Sequence, residues 1–443
     1  MTASPSAVPA ARPSLLRALN SRNYRLFFSG QSVSLVGTWI TRIATSWLVY
    51  RLTGSAFLLG VVGFCGQIPT LLLAPVAGVL VDRWNRHTIL VVTQALSMLQ
   101  SLALAILAFM GIITVADVLW LQIAQGIINA FDTPARQAFV VEMVENRADL
   151  PNAIALNSTM VNGSRIIGPS IGGVLIAAFG EGWCFMIDAI SYIAVIWSLY
   201  AMVVNRAERE PITTRMSEEL RTGFEYVTRS HPIRTILLLL SIVSVMGMPY
   251  TVLMPAIAAQ TLHGGPHTLG FLMTASGAGA VAGALYLASR QTVLGLGRVI
   301  SFATLTFGLG LIAFSLSHVL WLSLAILPFV GAGFMVQMAS SNTILQTIVD
   351  ERLRGRVMAF YAMAFLGTAP IGSLLAGVLA ARIGAPATVF AGGVVCVFAA
   401  IWFATRLPML RRVVHEIYVE RGVIAAPEAG TSTGAGGAKA LPV

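Results

Sequence analysis

Three ionisable residues sit inside stretches of sequence that are otherwise apolar: Arg42, Arg165 and Asp188. A charge in hydrocarbon is costly, so it is kept for moving protons or substrate, or for a structural pair. Asp188 has the chemistry of a proton carrier, and Arg42 and Arg165 that of receptors for an anionic or phenolic group. The other reading of all three is a buried network that only fixes helix positions. Arg42 lies about 16 residues into its apolar run, or ~24 Å along a helix, and Asp188 is about five residues from the same side. An Arg42–Asp188 ion pair is therefore allowed by depth. Asp132 and Arg136, four residues apart, form either a proton-sensitive pair or a salt bridge. His263 and His267 share that spacing, but Gly264-Gly265-Pro266 lies between them, so they read as solvated loop histidines and no metal is expected. There is no phosphate-binding G-x-x-x-x-G-K-[ST] loop, and the only lysine is Lys439. With no nucleophile and base that can be placed together, the chain reads as neither an ATP-driven pump nor an enzyme, and no cofactor is expected.

The elements that must position these groups follow from composition. Of 443 residues, 56% are apolar and 10% charged, against about 25% charged in soluble domains. Mean hydropathy is +0.81. These values exclude a secreted disulfide scaffold, a disordered chain and an ordinary cytosolic enzyme. Cys65, Cys184 and Cys396 show no ligand spacing and read as packing residues. Apolar runs long enough to cross a bilayer fall at 26–50, 56–80, 88–112, 117–138, 154–178 and 184–204. A second set falls at 235–258, 267–289, 298–317, 319–345, 357–381 and 386–405. No cleavable leader is evident, and the first crossing reads as an uncleaved signal.

The net charge of +10 does not call for a nucleic-acid partner, because the arginines cluster in short loops between apolar runs. Placing the N-terminus in the cytoplasm puts Arg83, Arg86, Arg147, Arg290, Arg354, Arg406 and most other arginines on the cytoplasmic side. Only Arg51 and Arg382 fall opposite. The expected organisation is a cytoplasmic segment (1–25), a six-helix bundle (26–204), a cytoplasmic linker (205–234), a second six-helix bundle (235–405) and a cytoplasmic, disordered tail (406–443). In the linker, Ile212, Met216, Leu220, Phe224 and Val227 recur at helical spacing and predict an amphipathic helix at the membrane surface.

The halves echo one another: Gly173-Val-Leu-Ile-Ala-Ala-Phe-Gly180 matches Gly377-Val-Leu-Ala-Ala-Arg-Ile-Gly384. Between crossings two and three stands Gly78-x-x-x-Asp82-Arg83-x-x-Arg86, which resembles the loop motif of the major facilitator superfamily. The second-half copy keeps Arg290 but has Tyr286 in place of the aspartate. Crossing five carries Gly168-Pro169-Ser170-Ile171-Gly172-Gly173, similar to the G-P-x-x-G-G motif of the antiporter branches, with Ser164 where a glycine is usual. Asn129-Ala-Phe-Asp-Thr-Pro-Ala-Arg-Gln137, Arg354-Gly-Arg-Val357, Ala369-Pro-Ile-Gly-Ser373 and Leu48-Val-Tyr-Arg-Leu-Thr-Gly-Ser55 are similar to the enterobactin-exporter and macrolide-efflux branch.

The resemblance spans about residue 20 to about 410. It implies an all-α membrane protein of twelve helices in two bundles, with crossings one, four, seven and ten lining a central cavity. Gly78, Asp82, Arg83, Arg86, Asp132 and Arg136 are then a cytoplasmic gate. Gly168, Pro169, Gly172 and Gly173 pack the outer gate. Arg42, Arg165 and Asp188 remain for substrate or proton coupling. The implied function is proton-coupled export, across a bacterial inner membrane, of a catecholate-type siderophore or similar amphipathic metabolite, or else of macrolides and other drugs. A non-transporting scaffold or receptor would need neither matched halves nor gates. The expected partners are the lipid bilayer, a small-molecule substrate and protons, acting on a monomer.

Overall fold

The computed structural model describes residues 16–203, 224–290 and 292–420, and these form helices and turns without a strand. Each apolar run lies within or close to one long helix. The first six are α1 (Arg22–Thr53), α2 (Ala56–Arg83), α3 (Arg86–Phe109), α4 (Val115–Met143), α5 (Leu150–Phe179) and α6 (Glu181–Tyr200). The next six begin with α7 (His231–Thr261), α8 (Pro266–Ser289), α9 (Leu296–Ser315) and α10 (Leu320–Ile348). They end with α11 (Glu351–Ala362 and Ala369–Ile383, joined through Met363–Gly367) and α12 (Ala385–Glu420). The amphipathic helix expected over 205–234 lies mostly outside the described residues. Only its end, 224–229, is described, and that stretch is helical. The tail after residue 420 also lies outside them.

Among the described residues, nine helices are both long and apolar enough to cross a membrane: α2, α3 and α6 through α12. The other three, α1, α4 and α5, have ample length at 32, 29 and 30 residues. Polar residues lower their hydropathy, among them Thr41, Arg42 and Thr45 on α1, Gln122, Gln125 and Asn129 on α4, and Arg165 on α5. All of these line internal cavities. The weaker apolar signal of these helices thus marks what they enclose.

Helix α1 packs along α5 and α6, α2 along α4, and α3 along α4 and α6; in the second set α8 packs along α10, and α9 along α10 and α12. The two sets meet along two seams, α5 with α8 and α2 with α11. Each seam pairs the second helix of one set with the fifth of the other, so the two are copies of one contact. At both, glycine lies on glycine. A Cβ placed on Gly270 would stand 2.7 Å from the Pro169 carbonyl oxygen and 2.9 Å from the Gly173 Cα. On Gly60 it would stand 2.6 Å from the Ser373 carbonyl oxygen and 2.7 Å from the Gly377 Cα. Gly173 and Gly377 head the sequence repeat, which therefore records a repeated backbone approach of the kind small residues permit in membranes.

One end of the bundle holds the arginine-rich turns. There Asn23 bonds the Val203 carbonyl at 2.8 Å, Tyr24 the Ala153 carbonyl at 2.7 Å, and His87 the Leu199 carbonyl at 2.8 Å. At the opposite end Arg51 clamps Glu181 through two bonds of 2.7 and 3.2 Å, tying α1 to α6. The glycine seams lie toward that opposite end. Both α7 and α11 break regular winding with a π-turn just before a proline, at Val243–Gly247 before Pro249 and at Met363–Gly367 before Pro370. Proline offers no backbone N–H, which favours the irregularity. The Ser244 hydroxyl donates to the Phe365 carbonyl at 2.7 Å, joining the two breaks.

If the seams depend on absent side chains, Gly173→Val should lower the thermal stability of the purified protein by about 1–3 kcal/mol, as overpacking does. Gly163→Ala, where an added Cβ meets nothing within 4 Å, should leave it unchanged. Equal melting of both variants and wild type would exclude this basis for the seams.

Candidate functional site: a polar cavity between the helix sets

A cavity of about 290 Å³ lies between the two sets. Its wall comes from α1, α2, α3, α4 and α6 on one side and α7, α8 and α11 on the other. The expectation that α10 lines it is not met. Gly279 and Gly331 bring α8 and α10 into backbone contact, which holds α10 behind α8, and Ala369 and Ser373 of α11 take the place at the wall. A smaller cavity of about 60 Å³ adjoins it, and Arg42, Met248, Thr251 and Met273 line both.

The Arg42–Asp188 pair that depth allows does not form. Asp188 is 1% exposed and accepts a 2.8 Å bond from the Ser101 hydroxyl on α3 through Oδ2, while Oδ1 has no hydrogen-bond partner. Gly37 of α1 makes room for this carboxyl, since a Cβ there would approach Oδ1 to 2.7 Å. Arg42 instead lies over the Trp39 ring, 5.1 Å from its centroid, and Arg165 approaches the same ring at 5.9 Å. A tryptophan face attracts a cation without neutralising it. Arg165 points, as its position on α5 predicts, toward the second set, where Tyr250 and Ser276 share its cavity.

The proline–glycine motif of α5 explains this convergence. Gly168 leaves the space that the Trp39 side chain fills, and Gly172 faces the Ile40 backbone, so α5 lies flush on α1. Gly173 then faces α8. One short motif sets the spacing of three helices and places Arg165 beside Arg42.

Sequence reading missed a polar stripe on α3. Thr93, Gln94, Ser97, Gln100 and Ser101 are all buried. They recur at intervals of three and four, a helical signal visible within an apolar run. Toward the basic end the stripe meets Asp132, which accepts from Thr93 at 3.0 Å and Gln94 at 2.8 Å and pairs with Arg136 at 3.4 Å. Toward the opposite end it meets Asp188 through Ser101. Between them Gln125 donates to Ser97 at 3.2 Å and to Asn129 at 3.1 Å.

At the basic end Arg86 bridges Asp82 at 3.1 Å and Glu142 at 2.9 Å, so Glu142 of α4 is a member of the cluster that the motif did not announce. Arg83 is exposed. Asn85 caps α3 by accepting from the Thr88 N–H at 3.3 Å. The degraded second copy keeps the same geometry in neutral form, with Arg290 donating to the Tyr286 hydroxyl at 3.3 Å, four residues back. Gly78, the first residue of the motif, faces open space: a Cβ there would meet nothing within 4 Å. Arg17–Asp149, Arg86–Asp82, Arg86–Glu142, Arg136–Asp132 and Arg354–Glu351 at this end each pair residues of one helix set. No group of His, Cys, Asp or Glu suited to a metal occurs among the described residues.

The Arg86 side chain and Glu142 are less exposed (19% and 21%) than Asp82 (45%). Solvent screens an exposed pair to about 0–1 kcal/mol. Glu142→Gln should therefore lower thermal stability by about 1 kcal/mol, whereas Asp82→Asn should leave stability near wild type and reduce transport. Normal transport by Asp82→Asn would remove that residue from the gate.

Comparison with known proteins agrees with this architecture. Residues 14–417 match the family model described as transmembrane secretion effector. The Staphyloferrin A transporter of Staphylococcus aureus is 25% identical over 386 residues, covering 86% of this chain and 96% of that protein. The multidrug efflux pump Tap of Mycolicibacterium fortuitum is 26% identical over 401 residues, covering 87% and 92%. The crystal structure of a bacterial homologue of the human lysosomal transporter Spinster superposes with a TM-score of 0.66 at 14% identity, covering 89% of this chain and 98% of that one. The chain is a multi-pass membrane transporter of the major facilitator type and belongs to the transmembrane secretion effector family.

Proposed function

We propose that the protein exports a small siderophore-like metabolite across a bacterial inner membrane by alternating access, driven by the proton gradient. The arginine-rich end is then cytoplasmic and the structure is an inward-facing state. One observation carries this reading: the seams are in backbone contact at one end, while glycines further along α2 and α5 meet nothing. On α2 the face that begins with Gly60 and Gly63 continues through Leu71, which stands 3.0 Å from a Cβ placed on Gly367. Two turns further on, at Gly78, it faces open space. On α5 the Ile166 carbonyl accepts a 3.3 Å bond from Thr274, and Gly163, one turn nearer the basic end, meets nothing. Gly78 then has its close neighbour only in the opposite, outward-facing state.

Proton coupling rests on Asp188, the acid in the cavity wall, and on the α3 stripe that runs from it toward Asp132 and the gate. The relative named as a Staphyloferrin A transporter supports a siderophore cargo. A drug cargo is the second reading, supported by the relative named as a multidrug efflux pump.

A disulfide tests the mechanism. A Cβ on Gly63 would lie 3.3 Å from the Ser373 Cβ, close to the separation a disulfide requires. In a Cys65→Ser background, Gly63→Cys with Ser373→Cys should cross-link on oxidation, stop transport and recover with reductant. Full transport by the cross-linked protein would exclude alternating access at this seam. In everted vesicles, uptake should also vanish when the pH gradient is collapsed; persistent concentrative uptake would require another driving ion. Deleting the gene should lower siderophore in the medium. Unchanged secretion with new drug sensitivity would favour the second cargo.

A further inference from the structure

We propose that Arg42, Arg165 and Trp39 form an anion clamp, and that the transported molecule is a small polycarboxylate with at least two negative charges. The inference rests on the transporter reading above and assigns its substrate class. The two guanidiniums come from different helices, α1 and α5, yet flank one indole at 5.1 and 5.9 Å and line one cavity. Neither takes part in any ion pair among the described residues. Asp188, which lines the larger cavity with Arg42, is engaged by Ser101. Arg42 is exposed to the cavity and Arg165 is partly so; two like charges that face one space repel one another, and a bound dianion is the partner that cancels both. A planar carboxylate also matches the guanidinium fork, which can give it two parallel hydrogen bonds.

The rest of the wall agrees with such a ligand. Thr45 Oγ1 and Gln125 Oε1 are buried without a hydrogen-bond partner, and their residues line the larger cavity beside Arg42. They suit the hydroxyl or amide groups of a polar molecule better than a lipophilic ring system. Arg165 and Trp39 line only the adjoining cavity of about 60 Å³, so a molecule that reaches both guanidiniums extends past Arg42 into the larger cavity of about 290 Å³, itself at the small end for a ligand site. The second helix set closes the clamp with Tyr250, whose hydroxyl lies 2.6 Å from the Ser276 hydroxyl. A molecule held there touches both sets, so its charge bears on their relative position. A lipophilic cation would meet two positive charges at the same place.

Equilibrium dialysis of radiolabelled citrate and tricarballylate against the full-length protein in lipid nanodiscs tests the clamp. Both acids should bind saturably and should be displaced far less by 2,3-dihydroxybenzoate or tetraphenylphosphonium than by each other. Arg42→Gln and Arg165→Gln should each weaken binding about tenfold or more, the equivalent of losing one ion-paired contact. Arg42→Lys should retain part of the affinity, which separates lost charge from misfolding. Arg51→Gln, remote from the cavity, should bind as wild type. Binding of both acids no tighter to wild type than to the Arg42→Gln/Arg165→Gln double variant would overturn the proposal, as would tighter binding of tetraphenylphosphonium. If tetraphenylphosphonium is moved across the membrane while the acids do not bind, the clamp fails and the transporter reading stands. If the acids bind but the Gly63/Ser373 cross-link leaves transport untouched, the mechanism fails and the clamp stands.

Discussion

Everything in this fold depends on two backbone contacts that a single methyl group would spoil. Gly60 against Gly377 and Gly173 against Gly270 bring α2 to α11 and α5 to α8 within van der Waals reach of the main chain. In lipid there is no hydrophobic gain from pairing one apolar helix with another, so close packing supplies the association. Because the two contacts are copies, they form a symmetric pair of close approaches at one end of the molecule. The space that they roof over is the cavity.

The same economy governs charge. Hydrocarbon tolerates ionised groups only where protein surrounds them. Three such places stand out among the described residues: the Arg51–Glu181 clasp, the Arg86 cluster at the basic end, and the cavity wall with Arg42, Arg165 and Asp188. The first two are paired. The third is not, and that contrast separates scaffold from site. The α5 motif connects the two themes, since the small residues that seat α5 on α1 and α8 also bring Arg165 to Trp39.

Much of this was legible in the sequence because it is one-dimensional in origin. Apolar run length predicts helices, arginine clusters mark one set of loops, and the Gly173/Gly377 repeat foreshadows two equivalent seams. What depends on rotation about a helix axis was not legible. Depth alone allowed Arg42 to pair with Asp188, but the arginine turns toward Trp39 while the carboxyl turns toward Ser101 of α3. Gly78 belongs to the gate motif, yet a Cβ there would meet nothing within 4 Å, because the motif gives spacing along the chain and not what a helix face meets. Glu142 carries no motif and joins the Arg86 cluster only through the approach of α4 to α3. The α3 stripe is legible from its spacing of three and four, although its residues are uncharged and lie within an apolar run.

The central claim is that the two ends of the seams open and close in opposition. Electron spin distances between labels at Ser158 and Ser289, at the basic ends of α5 and α8, report one end. Labels at Phe179 and His267 report the other. Measured in lipid nanodiscs at neutral and acid pH, with and without citrate, each pair should show two populations, and conditions that shorten the first distance should lengthen the second. A single unchanging distance at both pairs, or two distances that lengthen together, would contradict the account.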